Sequence, residues 1–553
     1  MSAASRLAIL YETDAYSFKN KVMGRQSAGI AFLKALAETR PERLWCYSRT
    51  RDSAVELANE LRRLGSGATG IHWVSYQSPA LLAEPGVLYR PDPVIAGEAW
   101  RRLGRADPRA YSLCGITHTT ASHGVMETLA GLLTAPLEEW DAVICTSRAV
   151  RDTVRQVVEA EAEHLRERVG AARFTLPQLP VIPLGVHCAD FADNGPLREA
   201  ARAELGIAPD AVVVLFVGRL AFHGKAHPLP MYLGLADVAT ERPVILLQAG
   251  WFANEGIEKA FRDDAAALCP AATHLFVDGR DQAKLKGAWA AADIFTSMSD
   301  NIQETFGLTP IEAMAAGLPS VVTDWDGYRD TVRDGIDGFR VPTLALPPGA
   351  GADFADGHDL GLLNYDHYCG ITSQFVAVDV EAAATAYRRL VADPDLRRRM
   401  GDAARARARA EFDWRVIFGR YQALWDDLSE RRRSDAALHP TPTRRVRPAR
   451  MDPYRAFASY PTRPIGPATQ VMRRPGATAA DGAARRGLAT TSFAAPHLPA
   501  PELIGQVLDA LPDGTWSDVG AVRAACPRTA PATLDRALVW LVKAGILTFR
   551  TGP

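Results

Sequence analysis

Short apolar runs alternate with longer amphipathic stretches along roughly the first three quarters of the chain. Leu7–Tyr11 reads as a strand, Ser27–Ala37 as a helix and Ala142–Thr146 as another strand, with a helix from about Ala149. Such alternation predicts a doubly wound, Rossmann-like α/β domain over residues 1–192. A second one is predicted over 193–430. Its first strand, Ala211–Val217, is an unbroken apolar run, as a strand buried on both faces requires. The helical stretch containing Trp414–Leu428 closes it. The fold class is therefore α/β, with two Rossmann-like domains facing a cleft, because ligands of open α/β sheets bind outside the carboxyl ends of the strands.

The rhythm stops at about Arg431. Residues 431–498 are rich in Pro, Arg, Ala and Gly and lack hydrophobic periodicity, so they read as a linker, part extended and part disordered. Within it, Tyr454, Phe457 and Tyr460 at near-helical spacing are expected to dock on the body of the protein. Periodicity returns over 499–553. There Leu503–Leu511, Val519–Ala525 and Ala532–Ala544 read as helices and Ile546–Phe549 as a strand, a small winged-helix-like domain. Its third helix offers Thr533, Asp535 and Arg536 rather than a basic, amide-rich face, which favours contact with a protein partner or self-association over DNA binding.

Composition narrows the partners. With 553 residues, 47% hydrophobic content and a formal net charge of −1, the chain can build sizeable cores but has no general attraction to nucleic acid. Seven scattered cysteines without a C-x-x-C pair argue against a disulfide framework or a zinc site. No signal-peptide-like run and no stretch of 18 apolar residues occur, so the expectation is a cytoplasmic protein with no transmembrane segment, free or peripheral at the inner membrane surface.

The chemistry concentrates in two segments. The apolar run ends in Gly218-Arg219, with Lys225 close behind in "GRLAFHGK". A guanidinium forks onto phosphate oxygens and an ammonium adds a compact charge, so two cations at a strand end can clamp a pyrophosphate. The second segment, "DNIQETFGLTPIEAMAAGLPSVVTDWDG", holds Glu304 in a loop and Glu312 on the helix that follows. Between them the backbone N–H groups of Gly307, Leu308 and Thr309 approach a helix N-terminus, where an anion is favoured. A plainer reading makes Thr309-Pro310-Ile311-Glu312 a capping box with proline at the first helical position.

Together these segments resemble the donor half of family-4 retaining glycosyltransferases, which have the GT-B fold. The similarity is dense from Ala211 to Val341 and thinner from the N-terminus to about Leu428. The resemblance implies that Arg219 and Lys225 bind the donor diphosphate, Glu304 contacts the transferred sugar and Glu312 the ribose. By the same match, Gly218 and the backbone of Gly307, Leu308 and Thr309 touch phosphate or sugar. His118, in "CGITHTTASHG", corresponds to a histidine that reaches the transferred sugar, with His123 a weaker candidate. The loop before the first helix lacks the family's adjacent glycines, which leaves Gly24 and Arg25 as its candidate phosphate contacts. Asp278, Gly279 and Arg280 fall where the base is read.

The implied reaction moves a sugar from a nucleotide-sugar, UDP by default with GDP and ADP open, to a carbohydrate, lipid-linked or small-molecule hydroxyl. No cofactor and no metal are implied. Asp324-Trp325-Asp326 is a D-x-D of the kind that binds metal in a different glycosyltransferase fold, and here it reads as a structural turn. Rival readings are a sugar-nucleotide epimerase, for which no acid/base set is evident, and a non-catalytic scaffold or regulator acting through residues 499–553.

Overall fold

The structure is a computed structural model that describes residues 7–16, 24–67, 69–191, 195–438 and 447–551. It divides into two compact units, Met1–Val446 and Arg447–Pro553.

The first unit contains two six-stranded sheets. In chain order the first has β1 (Ala8–Leu10), β2 (Arg43–Ser48), β3 (Gly70–Ser75), β4 (Val87–Tyr89), β5 (Ser112–Ile116) and β6 (Ala142–Ile144). Their spatial order is β3-β2-β1-β4-β5-β6, and every pairing is parallel. The second sheet has β7 (Val212–Val217), β8 (Val244–Gly250), β9 (Thr273–Asp278), β10 (Ile294–Ser297), β11 (Ser320–Thr323) and β12 (Gly338–Val341). It runs β12-β11-β10-β7-β8-β9, also parallel throughout. In both sheets the strand order reverses beside the first strand in sequence, which creates the switch point where ligands bind such folds. The expected pair of Rossmann-like domains is thus the observed architecture.

After β12 the chain leaves the second sheet. It forms β13 (Thr343–Ala345), makes an excursion through the helices Ala352–Asp359 and Tyr365–Gln374, and returns as β14 (Val376–Val378), antiparallel to β13. The final helix of the unit, Trp414–Leu438, crosses back to the first sheet and extends past residue 430. Its Trp414, Ile417, Phe418, Tyr421, Trp425 and Leu428 are buried in one cluster with Leu7, Ile9, Phe32 and Tyr89 of the N-terminal domain. Beyond Leu428 the helix is held by polar contacts. Arg432 donates to the Gly86 carbonyl at 2.5 Å and to Ser112 at 3.0 Å, and Arg109 pairs with Asp435 at 2.5 Å.

The second unit corrects the reading of 431–498 as a linker. Residues Thr469–Arg473 form β15, the middle strand of a three-stranded antiparallel sheet with β16 (Ser517–Asp518) and β17 (Leu547–Thr551). Val471 is buried among Ile504, Leu508, Leu534 and Leu547. The upstream segment also supplies the helix Ala479–Gly487, opened by a reciprocal Thr478/Asp481 capping box. The helices Pro501–Asp509, Val519–Ala525 and Pro531–Lys543 lie close to their predicted bounds. Tyr454, Phe457 and Tyr460 are 82%, 51% and 80% exposed. A fragment starting at residue 499 lacks the central strand, so it should show no cooperative thermal transition by circular dichroism, whereas a fragment from about residue 462 should melt cooperatively. A cooperative melt of the shorter fragment would contradict this pairing.

Candidate active site

The end of β7 and the loop after β10 bring Arg219, Lys225 and Glu304 together. Lys225 Nζ and Glu304 Oε2 form a short ion pair. The Glu304 carboxylate also accepts from the Thr305 N–H at 3.2 Å and from the Tyr328 hydroxyl at 3.5 Å. Burial is the largest single influence and would raise the Glu304 pKa, but the Lys225 charge and hydrogen bond, with the Thr305 and Phe306 N–H groups, together hold the carboxyl below its ordinary value. Lys225 shows the converse balance: burial opposes its charge, and Glu304 keeps it protonated. Arg219 directs one guanidinium nitrogen to the Gly224 carbonyl at 2.7 Å and to Gln303 Oε1 at 2.8 Å.

The helix Leu308–Ala316 starts at this cluster. Its N-cap is Gly307, in the left-handed region at φ 85°, and no side chain caps it. A Cβ on Gly307 would sit 2.1 Å from the Tyr328 ring, so the close approach and the backbone angle both require glycine. The capping-box reading is therefore corrected. Leu308, not Pro310, opens the helix, and the Thr309 hydroxyl is buried without a hydrogen-bond partner. Neither Thr309 nor Glu312 is used up by the helix itself.

Glu312 lies one turn further on and lines a cavity of about 910 Å³ with Leu285, Lys286, Leu308 and Arg405. This cavity reaches the cluster only at Leu308 and Glu312; Arg219, Lys225 and Glu304 lie outside its lining. Burial raises the Glu312 pKa to about 7, against a smaller opposing pull from Lys225. Asp326 is raised to about 8, by burial first and by the Glu304 charge second. It occupies the left-handed region at φ 41° and accepts from the Ser147 hydroxyl at 3.2 Å across the cleft. Its D-x-D neighbour Asp324 pairs with Arg340 at 3.3 Å. Among the described residues no three His, Cys, Asp or Glu side chains are grouped to hold a metal.

In the N-terminal domain, His118 follows β5, and its Nε2–H donates to the Pro91 carbonyl at 2.9 Å. Burial lowers its pKa, which favours the neutral ring with Nδ1 as acceptor. Arg25 shares a small cavity with His118 and donates to Asp92 at 3.3 Å, so its guanidinium is engaged there rather than at the cation pair. Gly24 is the exposed first residue of its helix, and the residues just before it lie outside the described part of the chain. Arg280, expected near the base, folds onto Asp278 at 2.7 Å in its own turn. Four residues of the cluster escape sequence reasoning: Gln303, Asp326, Tyr328 and Tyr365. Gln303 and Asp326 adjoin recognised motifs, whereas nothing local marks either tyrosine.

Residues 198–344 match the family model for "Glycosyl transferases group 1". The "D-inositol 3-phosphate glycosyltransferase" of Kineococcus radiotolerans is 32% identical over 305 residues, 52% of this chain and 62% of that protein. Its namesake from Nocardia farcinica is 32% identical over 231 residues, 39% of this chain and 48% of that protein. The chain thus matches about half the length of these curated relatives. Among solved structures, Anabaena Alr3699/HepE in complex with UDP covers 76% of this chain and 99% of its own, with a TM-score of 0.50 and 16% identity. That likeness is one of fold.

Breaking the Lys225–Glu304 pair tests the geometry without any substrate. Lys225→Ala leaves a largely buried carboxylate unpaired and should cost up to about 3 kcal/mol, the lower range for such an orphan because Lys225 is 23% exposed. The double variant with Glu304→Gln should recover much of that loss in a chemical-denaturation cycle. Additive losses would show that the pair does not operate.

Proposed function

We propose that the Met1–Val446 unit is a retaining glycosyltransferase that moves a sugar from a nucleotide-sugar, a UDP-sugar first, to a hydroxyl acceptor. The observation that carries this reading is the meeting of Lys225 with Glu304 and of Arg219 with the adjacent Gln303, beside a helix N-terminus with no side-chain cap. The glycosyl transferases group 1 match over 198–344 supports it. So do the relatives' printed name and the UDP held by the Anabaena protein.

In this reading the donor diphosphate takes the place between Arg219, Lys225 and the N–H groups of Leu308 and Thr309. Lys225 then turns from Glu304 to phosphate, which releases the carboxylate to accept from sugar hydroxyls. The acceptor oxygen attacks the anomeric carbon from the face that the diphosphate leaves. One carbon–oxygen bond forms as the other breaks, and the acceptor's proton passes to a diphosphate oxygen. Fixed positive charge aimed at the departing phosphate is the main catalytic contribution, and it fills the role that a metal ion plays elsewhere. His118 serves as an acceptor for a sugar hydroxyl, and Glu312 grips the ribose.

UDP-, GDP- and ADP-sugars should be screened by thermal shift with and without EDTA. A nucleotide-selective stabilisation indifferent to EDTA and lost in Arg219→Ala is expected, with transfer slowed ~100-fold in that variant. No shift with any donor would sink the reading. Glu312 adds a pH signature. Its ionised form accepts from ribose hydroxyls, so donor affinity should rise several-fold between pH 6 and 7.5 as a group with pKa about 7 deprotonates. Glu312→Gln should abolish that slope, and a slope unchanged in calorimetric titrations would remove Glu312 from the ribose role.

A further inference from the structure

The excursion between β13 and β14 lies just beyond the segment that matches the family model, which ends at residue 344. It rises from the donor-side domain and bridges the cleft. Tyr365, at the start of its second helix, brings its hydroxyl to 3.1 Å from Thr119 Oγ1, one residue past His118 in the other domain. The same hydroxyl lies 3.0 Å from Gln303 Nε2, and Gln303 Oε1 is 2.8 Å from Arg219. Three hydrogen bonds therefore connect the donor-side arginine to the acceptor-side loop.

The polarity of this chain is determined from Arg219 as far as Tyr365. A guanidinium only donates, so Gln303 must turn its oxygen to Arg219 and its amide to Tyr365. Tyr365 accepts from that amide; between the Tyr365 and Thr119 hydroxyls either can donate, and Thr119 also accepts from the Ala121 N–H at 3.3 Å. The excursion is anchored on both sides of this bridge. Asn301 donates to the Cys369 carbonyl at 3.4 Å and to the His223 carbonyl at 3.1 Å. Across the cleft, the His358 ring packs on His123 with centroids 3.6 Å apart, and it also stacks with Tyr368 at 4.5 Å.

We infer that Tyr365 is a positioning residue: through Gln303 it aims the Arg219 guanidinium, and through Thr119 it makes that aim depend on closure of the two domains. The inference rests on the donor-site reading above. A closed cleft fixes Gln303, so Arg219 meets the leaving diphosphate already oriented. An open one releases Tyr365 from Thr119 and leaves Arg219 held by the Gly224 carbonyl and a less constrained Gln303.

The test is a double-mutant cycle on the full chain, with UDP, GDP and ADP as ligands in calorimetry and hydrolysis of the matching sugar nucleotide as the rate. Tyr365→Phe keeps the ring and removes only the hydroxyl. It should lower the hydrolysis rate about ten-fold while the donor KM changes less than two-fold. In the Arg219→Ala background the same substitution should have almost no further effect, because the arginine it serves is gone. Thr119→Val should reproduce part of the loss, and hydrogen exchange of residues 117–121 should quicken in Tyr365→Phe. An equal fold-loss in both backgrounds, or unchanged exchange and rate in Tyr365→Phe, overturns the inference while leaving the donor site standing. Failure of the wild type to bind any of the three diphosphates sinks the donor site, and the role given to Tyr365 goes with it.

Discussion

The half-buried ion pair between Lys225 and Glu304 is the contact on which the site depends. A lysine at the end of one strand and a glutamate in the loop after another can be held in low dielectric only as partners. Each fixes the other's charge state, and both loops are thereby fixed at the mouth of the sheet. Tyr328 closes the arrangement from below, donating to Glu304 while its ring fills the space that a side chain at Gly307 would need. A glycine with no Cβ, a helix end with no side-chain cap and a largely buried ion pair are thus parts of one construction.

The two domains are tied together at several levels. Ser147 and Arg148 at the start of an N-terminal-domain helix bond Asp326 and Asp330 of the second domain. The Asp326 carboxyl is pushed up to about 8 by burial and by Glu304, so near neutral pH it is mostly uncharged and sits beside Glu304 without adding repulsion. These short polar contacts, unlike a packed apolar seam, can break and reform at little cost.

Much of this was legible in the sequence where the signal is local. An apolar run followed by Gly218, Arg219 and Lys225 declares both a buried strand and the charge at its end. Glu304 and Glu312 are close enough in sequence to be read with the helix between them. The helix start was misjudged because Thr309-Pro310 looks like a cap and first turn, whereas the left-handed Gly307 begins the helix two residues earlier. β15 was missed because Thr469–Arg473 is a short strand inside a Pro- and Arg-rich stretch, and only Val471 is fully buried. Tyr365 could not be found at all: it meets Thr119, 246 residues away, and no periodicity encodes such a meeting.

The closing helix also sets a schedule for synthesis. The N-terminal sheet lacks the residues that cover Phe32 and Tyr89 until Trp414–Leu428 has been made. More than two hundred residues separate the end of that domain's own chain from this cover. At synthesis rates of about 5–20 residues per second this is a delay of roughly 10–45 s, long compared with the folding of a small domain. For that interval the nascent chain presents an unfinished aromatic face, and the ribosome-bound intermediate is the form of this protein with the greatest need of a chaperone.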